Sequence, residues 1–213
     1  MDFTMIDSRA TKCVFLIMMI LSCPVMLGWA DNWEDIQKES ARIKSVSAHF
    51  SQEKHLQILT KPLVSKGRFY FQAPDSIRWE YTSPVKSVLL MHKGNIKRYT
   101  MGSKGIVEES GGTVEAMQIV LQEISLWSKG QFTGNKHFSA TIKGTKGPQI
   151  ILTPKEKGLS AIISRIVINL SADRPGVMKS VKIVENEGNY TLFEFIDVQI
   201  NVNISETLFR EVG

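Results

Sequence analysis

Ten stretches of this chain read as β-strands, and most are separated by very short turns. The first five are "SVSAHFSQ", "SKGRFYFQ", "SIRWEYT", "KSVLLMH" and "NIKRYTM"; after an interruption come "HFSATIK", "QIILTP", "AIISRIVINL", "VMKSVKIVE" and "YTLFEFIDVQINV". In "SIRWEYT", Ile77, Trp79 and Tyr81 alternate with Ser76, Arg78, Glu80 and Thr82, so one side is apolar and the other charged. Turns are marked by Lys61-Pro62, Ala73-Pro74-Asp75, Ser83-Pro84, Lys93-Gly94-Asn95, "SADRPG" and "ENEGN". Connections this short join antiparallel neighbours, because a parallel pair needs a crossover of a dozen residues or more. The chain is therefore expected to form one large antiparallel sheet.

Two helical segments accompany the strands. "NWEDIQKESARIK" sets Trp33, Ile36 and Ile43 near one face, with Asp31 or Asn32 as N-cap and acids in the first turn. A second helix follows Gly111-Gly112, with Thr113 as N-cap and Val114, Met117, Val120, Leu121, Ile124 and Trp127 at helical spacing; Gly130 ends it. "SETLF" reads as a single helical turn that packs Phe209. Each helix has one apolar side that must rest on the sheet. The expected fold is α+β: a strongly curved antiparallel sheet with helices against one face, neither a closed barrel nor a sandwich. A phase change between Phe195 and Ile196 points to a bulge in the last strand.

The first thirty residues read as an export signal rather than as part of the fold. Arg9 and Lys12 precede the apolar run "CVFLIMMIL", which is followed by Pro24 and the small-residue end "GWA". The run is too short to span a bilayer. Cleavage is expected after Ala30, and removing thirty residues from 213 leaves 183 in a single domain, 31–213. "ILSC" ending at Cys23 also resembles a lipoprotein signal, but the apolar "PVMLGWA" that follows is a poor solvated tether. Both cysteines, Cys13 and Cys23, fall inside the signal. The exported chain then has no disulfide, no thiolate chemistry and no cysteine metal site. Its charge of +5 is unchanged by cleavage, because the signal holds two acids and two bases. That balance favours anionic partners such as lipid headgroups, and the dispersed charges exclude a nucleic-acid stripe.

Chemical motifs are sparse. "GLSAI" has Ile162 where a nucleophile elbow needs its second glycine, and no phosphate loop, dinucleotide fingerprint or H-E-x-x-H occurs. His49, Glu53 and His55 share one face of an extended strand, as in a two-histidine, one-carboxylate metal site. The plainer reading is a solvated polar edge opposite Val46, Ala48 and Phe50. Trp79 and the Met117 to Trp127 stripe are, by the same standard, ordinary core. Composition and periodicity thus describe an exported α+β domain without a catalytic constellation.

The order of the pieces resembles the LolA family, carriers that move lipoproteins from the inner to the outer membrane of Gram-negative bacteria. The resemblance runs from about Trp33 to Phe209. It is strongest at "HFSQ" and "GRFYFQAPDSIRWEYTSP", where Phe50, Gln52, Gly67, Pro74, Arg78, Trp79 and Pro84 match, and extends through "LLMHKGNIKRY", "ILTPK" and "FEFIDVQINVNISETLF". It implies an incomplete β-barrel whose hydrophobic concave face is covered by a helical lid. Phe50, Phe69, Phe71, Ile77, Trp79, Tyr81, Leu89 and Met91 are then candidates for an acyl-chain cavity, and Met117, Leu121, Ile124 and Trp127 for the lid. It also implies acylated lipoproteins or other lipids as cargo, an inner-membrane lipoprotein-releasing complex as donor and an outer-membrane acceptor protein. The expected protein is a monomeric periplasmic chaperone with no catalytic residue, cofactor, metal or nucleic acid.

One departure stands out. Enterobacterial members carry a lid-latching arginine just before the matching proline, and here that position is Ala73. Lid closure must use another contact. Two other classes remain: a carrier of another lipid in a dedicated pathway, or a lipid-sensing regulatory module, which needs a tether or a further domain. A hydrolase using Arg78 and Glu80 lacks any histidine or second carboxylate that sequence places beside them.

Overall fold

The computed structural model describes residues 32–102, 105–109, 121–133, 136–144 and 147–212. The proposed export signal, and Thr113, Val114, Met117 and Val120 of the second helix, lie outside the described residues. Asn32–Gly213 forms one compact unit.

An N-terminal helix, Asn32–Ala41, leads into β1 (Ser45–His55), β2 (Leu63–Gln72), β3 (Ser76–Ser83), β4 (Ser87–His92), β5 (Asn95–Gly102) and β6 (Gly105–Glu109). Residues 121–128 are helical. Then come β7 (Phe138–Lys143), β8 (Gln149–Pro154), a helical turn Lys157–Ser160, β9 (Arg165–Leu170), β10 (Met178–Asn186), β11 (Asn189–Ile200) and a 3-10 turn, Glu206–Phe209. All eleven strands belong to one antiparallel sheet, ordered β6-β5-β4-β3-β2-β1-β11-β10-β9-β8-β7. The sheet does not close, since β6 and β7 are its two edges. β1 and β11, far apart in sequence, pair from Val46–Ile200 to His55–Tyr190 and join the two halves into one sheet.

Two differences from the sequence reading have local causes. β6, "GIVEE", has no alternation to reveal it; as an edge strand it needs only one partner, β5. "AIISRIVINL" becomes a strand only at Arg165, because the preceding residues continue the Lys157–Ser160 turn, with Ile163 N–H donating to the Leu159 carbonyl at 2.9 Å. The bulge in β11 sits slightly beyond Phe195: the β1 register shifts between Ser47–Gln199 and His49–Ile196, and Asp197 has φ 54°.

The apolar face carries a continuous core. One cluster joins Ile36, Trp127, Phe132 and Phe138 to Ile150, Leu152, Ile166, Ile168 and Val181. The other joins Phe50, Phe69, Phe71, Ile77, Trp79, Met91 and Leu121. Ile124, Phe193 and Phe195 pack against both. Helix 121–128 ends in a Schellman motif, with Gln131 N–H on the Leu126 carbonyl and Gly130 N–H on the Trp127 carbonyl, both at 2.9 Å. Gly130 supplies the required left-handed turn, φ 73°.

Gly67 has a different job. A Cβ there would overlap the Glu80 carbonyl oxygen and the Phe50 ring, so the bare backbone makes room for that ring beneath the tilted Phe50–Trp79 pair, 4.8 Å between centroids. Gly67→Ala is expected to destabilise the fold by about 1–3 kcal/mol through overpacking, read as a lower urea midpoint.

The opposite face of β3 and β4 is covered by the C-terminal turn. Arg78, only 5% exposed, donates to Glu80 Oε2 (3.0 Å) and to the carbonyls of Leu208 (3.0 Å) and Glu211 (2.7 Å). Phe209 is buried there, as "SETLF" suggests, and the turn packs on both strands. His92 Nδ1 meets Ser76 Oγ at 2.8 Å, and Glu206 pairs with Arg210, whose guanidinium holds the Glu206 carboxyl below its ordinary range.

Candidate functional site

In an antiparallel sheet of this order, the β1–β2, β3–β4, β5–β6, β8–β9 and β10–β11 connections all fall at one end. Near that end a cavity of about 380 Å³ is lined by residues of both halves of the sheet. One wall is Trp79 and Tyr81 on β3 with Leu89 on β4; the other is Ile166, Val181, Ile183, Phe193 and Phe195 on β9 to β11. Leu121, Ile124 and Trp127 of helix 121–128 close it from above, with Phe138, Leu159, Ile163 and Met178 completing the lining. Its size falls in the range of roughly 300–1,000 Å³ typical of small-molecule sites. Residues of both halves can line one space only if the sheet curves around it.

A few polar groups also reach the lining. Gln52 and Lys54 continue the inward face of β1 beyond Phe50, and Arg98 stands inward on β5. Tyr81 donates its hydroxyl to Gln52 Oε1 at 2.6 Å, and burial pushes its phenol above the ordinary value, so it stays a neutral donor. Arg98 pairs with Glu109 at 3.2 Å, and Lys54 with Glu185 at 3.7 Å. Glu123 of the helix is buried at the lining as well. The lining is thus mostly apolar, and its cations Arg98 and Lys54 each face a carboxylate.

The structure sorts the candidates into two kinds. Trp79, Tyr81 and Leu89 line the cavity, as do Leu121, Ile124 and Trp127, while Met117 is outside the described residues. Phe50, Phe69, Phe71, Ile77 and Met91 pack together nearby; Phe71 and Ile77 are fully buried. The whole second wall was absent from the candidate list. Its signal was the alternation Val181-Lys182-Ile183 and Phe193-Glu194-Phe195, which shows a face but not what the face encloses.

The polar edge of β1 resolves into separate contacts. His55 pairs with Glu53 at 2.9 Å and stacks on Tyr190, whereas exposed His49 turns to Asp197 at 3.6 Å. At the Ala73 position the backbone N–H donates to the Lys44 carbonyl at 2.9 Å, and the side chain packs against the Phe71 cluster. The helix is held to the sheet through Leu121, Ile124 and Trp127, apolar contacts on both clusters. Among the described residues, no helix is long and apolar enough to cross a membrane.

Comparison with known proteins places this geometry in context. The profile of the family described as "Outer membrane lipoprotein carrier protein LolA" matches residues 41–211. A protein of Pseudoalteromonas translucida named outer-membrane lipoprotein carrier protein is 22% identical over 201 residues, 92% of this chain and 89% of the relative. One of the same name from Methylococcus capsulatus is 21% identical over 146 residues, covering 68% of this chain and 66% of the relative. Among solved structures, MucB matches with a TM-score of 0.50 at 15% identity, over 87% of this chain and 64% of MucB. The MucA/MucB complex of Pseudomonas aeruginosa matches at the same score and 12% identity, over 85% and 60%. This chain thus spans less than two thirds of those structures, and the likeness is one of fold.

Proposed function

The chain belongs to the family of the outer membrane lipoprotein carrier protein LolA, and from that premise we propose that it is a non-enzymatic carrier that holds acyl chains of lipoproteins in the cavity between the two halves of its sheet. The observation that carries this reading is the cavity itself, an apolar space walled by both halves and covered by a helix. Each buried methylene is worth about 0.8 kcal/mol, so one long acyl chain gains on the order of 10 kcal/mol over exposure to water. Escape into solvent is then slow. Cargo passes directly from a donor, an inner-membrane lipoprotein-releasing complex, to an outer-membrane acceptor that offers a competing apolar site.

The same reading places the protein in the periplasm as a monomeric chaperone, cleaved after Ala30, within the single domain 31–213. Helix 121–128 acts as the lid. Its apolar side chains rest on the sheet in the empty protein and on the acyl chain in the loaded one. Phe50, Phe69, Phe71, Ile77 and Met91 support the wall formed by Trp79, Tyr81 and Leu89.

The test is to express the full chain in a Gram-negative host, recover the protein from the periplasm and identify bound species by native mass spectrometry. The expected result is a chain starting at Asp31 with acylated lipoprotein bound one to one. A different lipid in the cavity would make it a dedicated carrier in another pathway. A protein that stays empty when offered lipoprotein contradicts the reading.

A further inference from the structure

Ten large apolar side chains stand exposed among the described residues, and nine of them share one end of the sheet. Ile58 and Leu59 lie in the β1–β2 connection, Val85 in β3–β4 and Ile162 in β8–β9; the rest are within three residues of the loops at that end. Only Ile196, at the β11 bulge, is elsewhere. The tips are fully presented: Ile58 is 88% exposed, Ile162 66% and Val85 63%. Single exposed apolar residues are ordinary, but a set gathered from separate loops at one end is not.

This is also the end the cavity reaches. Lys54 and Thr191 in its lining are the pair next to the His55–Tyr190 end of the β1–β11 ladder, Ser87 opens β4 just after the β3–β4 turn, and Leu159 and Ile163 belong to the β8–β9 connection. Charge accompanies the apolar tips. Residues 61–66 and 83–87 contain three lysines, Lys61, Lys66 and Lys86, and no acid; all three are exposed.

We propose that this end of the molecule docks on a lipid bilayer with anionic headgroups, the apolar loop tips entering the interface and the lysines behind them pairing with phosphates. Exposed aliphatic tips with basic flanks are the composition that lies in a headgroup layer. Lysine suits the second role, because its flexible apolar stem lets the ammonium reach the surface while the stem stays in contact with lipid. The proposal extends the carrier reading and rests on it for its purpose: the cavity end faces the bilayer in which the donor or acceptor sits, so an acyl chain is handed over at the membrane surface with little exposure to water.

The test uses protein expressed from the full chain and recovered from the periplasm, sedimented with vesicles of phosphatidylglycerol in phosphatidylcholine or of phosphatidylcholine alone. Binding is expected to the anionic vesicles, weaker to neutral ones and weakened by salt. Ile58→Asp with Val85→Asp, and separately Lys61→Glu with Lys86→Glu, should each reduce it by at least about tenfold. These side chains are exposed, and uptake of a fluorescent fatty acid without vesicles should match the parent protein. Failure of the parent protein to bind anionic vesicles overturns the proposal, as does undiminished binding by both variants. Retention only on membranes containing native proteins overturns it in favour of a protein partner. If the fatty acid is not taken up by the parent protein, the carrier reading fails, and the sedimentation result still decides the docking surface.

Discussion

Ile183→Asp is expected to weaken acyl-chain binding by at least about 100-fold, which corresponds to about 2.7 kcal/mol. Ile183 is half-buried on β10, between Ile166 on β9 and Thr191 on β11, and its side chain faces the cavity. In the empty protein an aspartate there can stay hydrated within the cavity. In the loaded protein it would face hydrocarbon, and an unpaired charge in that setting is strongly disfavoured. The loss therefore falls on binding. Phe71→Ala should do the reverse: Phe71 is fully buried in the neighbouring cluster, and its truncation should cost about 3–5 kcal/mol of stability. Fluorescent fatty-acid titration and thermal melting of both variants check the pair. If Ile183→Asp lowers binding and melting temperature to the same degree as Phe71→Ala, the second wall is plain core and the cavity has no role in binding.

Arg78→Ala is expected to remove about 3 kcal/mol of stability without altering fatty-acid affinity. The guanidinium is the shared donor for Glu80 and for two carbonyls of the C-terminal segment, all on the face away from the cavity. Its loss leaves three acceptors to be resatisfied and loosens the turn that buries Phe209. Arg78→Lys should recover little, because an ammonium cannot reproduce the planar set of donors. Urea unfolding provides the measurement, a lowered midpoint with unchanged slope. A midpoint close to that of the parent protein would mean that the C-terminal turn is held by Phe209 alone. This role also accounts for Arg78 and Glu80 without catalysis: the pair is a structural clamp beneath the chain's end.

Much of the framework was legible because it is local. Ten strands appear where alternation and turn residues put them, Gly130 ends its helix, and Phe209 is buried by its single turn. β6 escaped because five residues with adjacent Ile106 and Val107 show no period, and the start of "AIISRIVINL" misled because isoleucines suit both a strand and a packed turn. The candidate site was legible in part. Trp79, Tyr81 and Leu89 were picked out by face, yet the same alternation also selected Phe71 and Ile77, which are sealed in core.

What the sequence determined by itself is the succession of strands, the face each residue takes, and the apolar inner side of the covering helix, since period-two and helical spacing act over a few residues. Only the tertiary structure decided which part of the apolar face is filled and which encloses space. That depends on β1 pairing with β11, more than a hundred residues away, and on where the helix comes to rest. Strand phase turns a side chain inward. Whether it then meets another side chain or an empty cavity is set by the distance to the opposite wall, which no local pattern encodes.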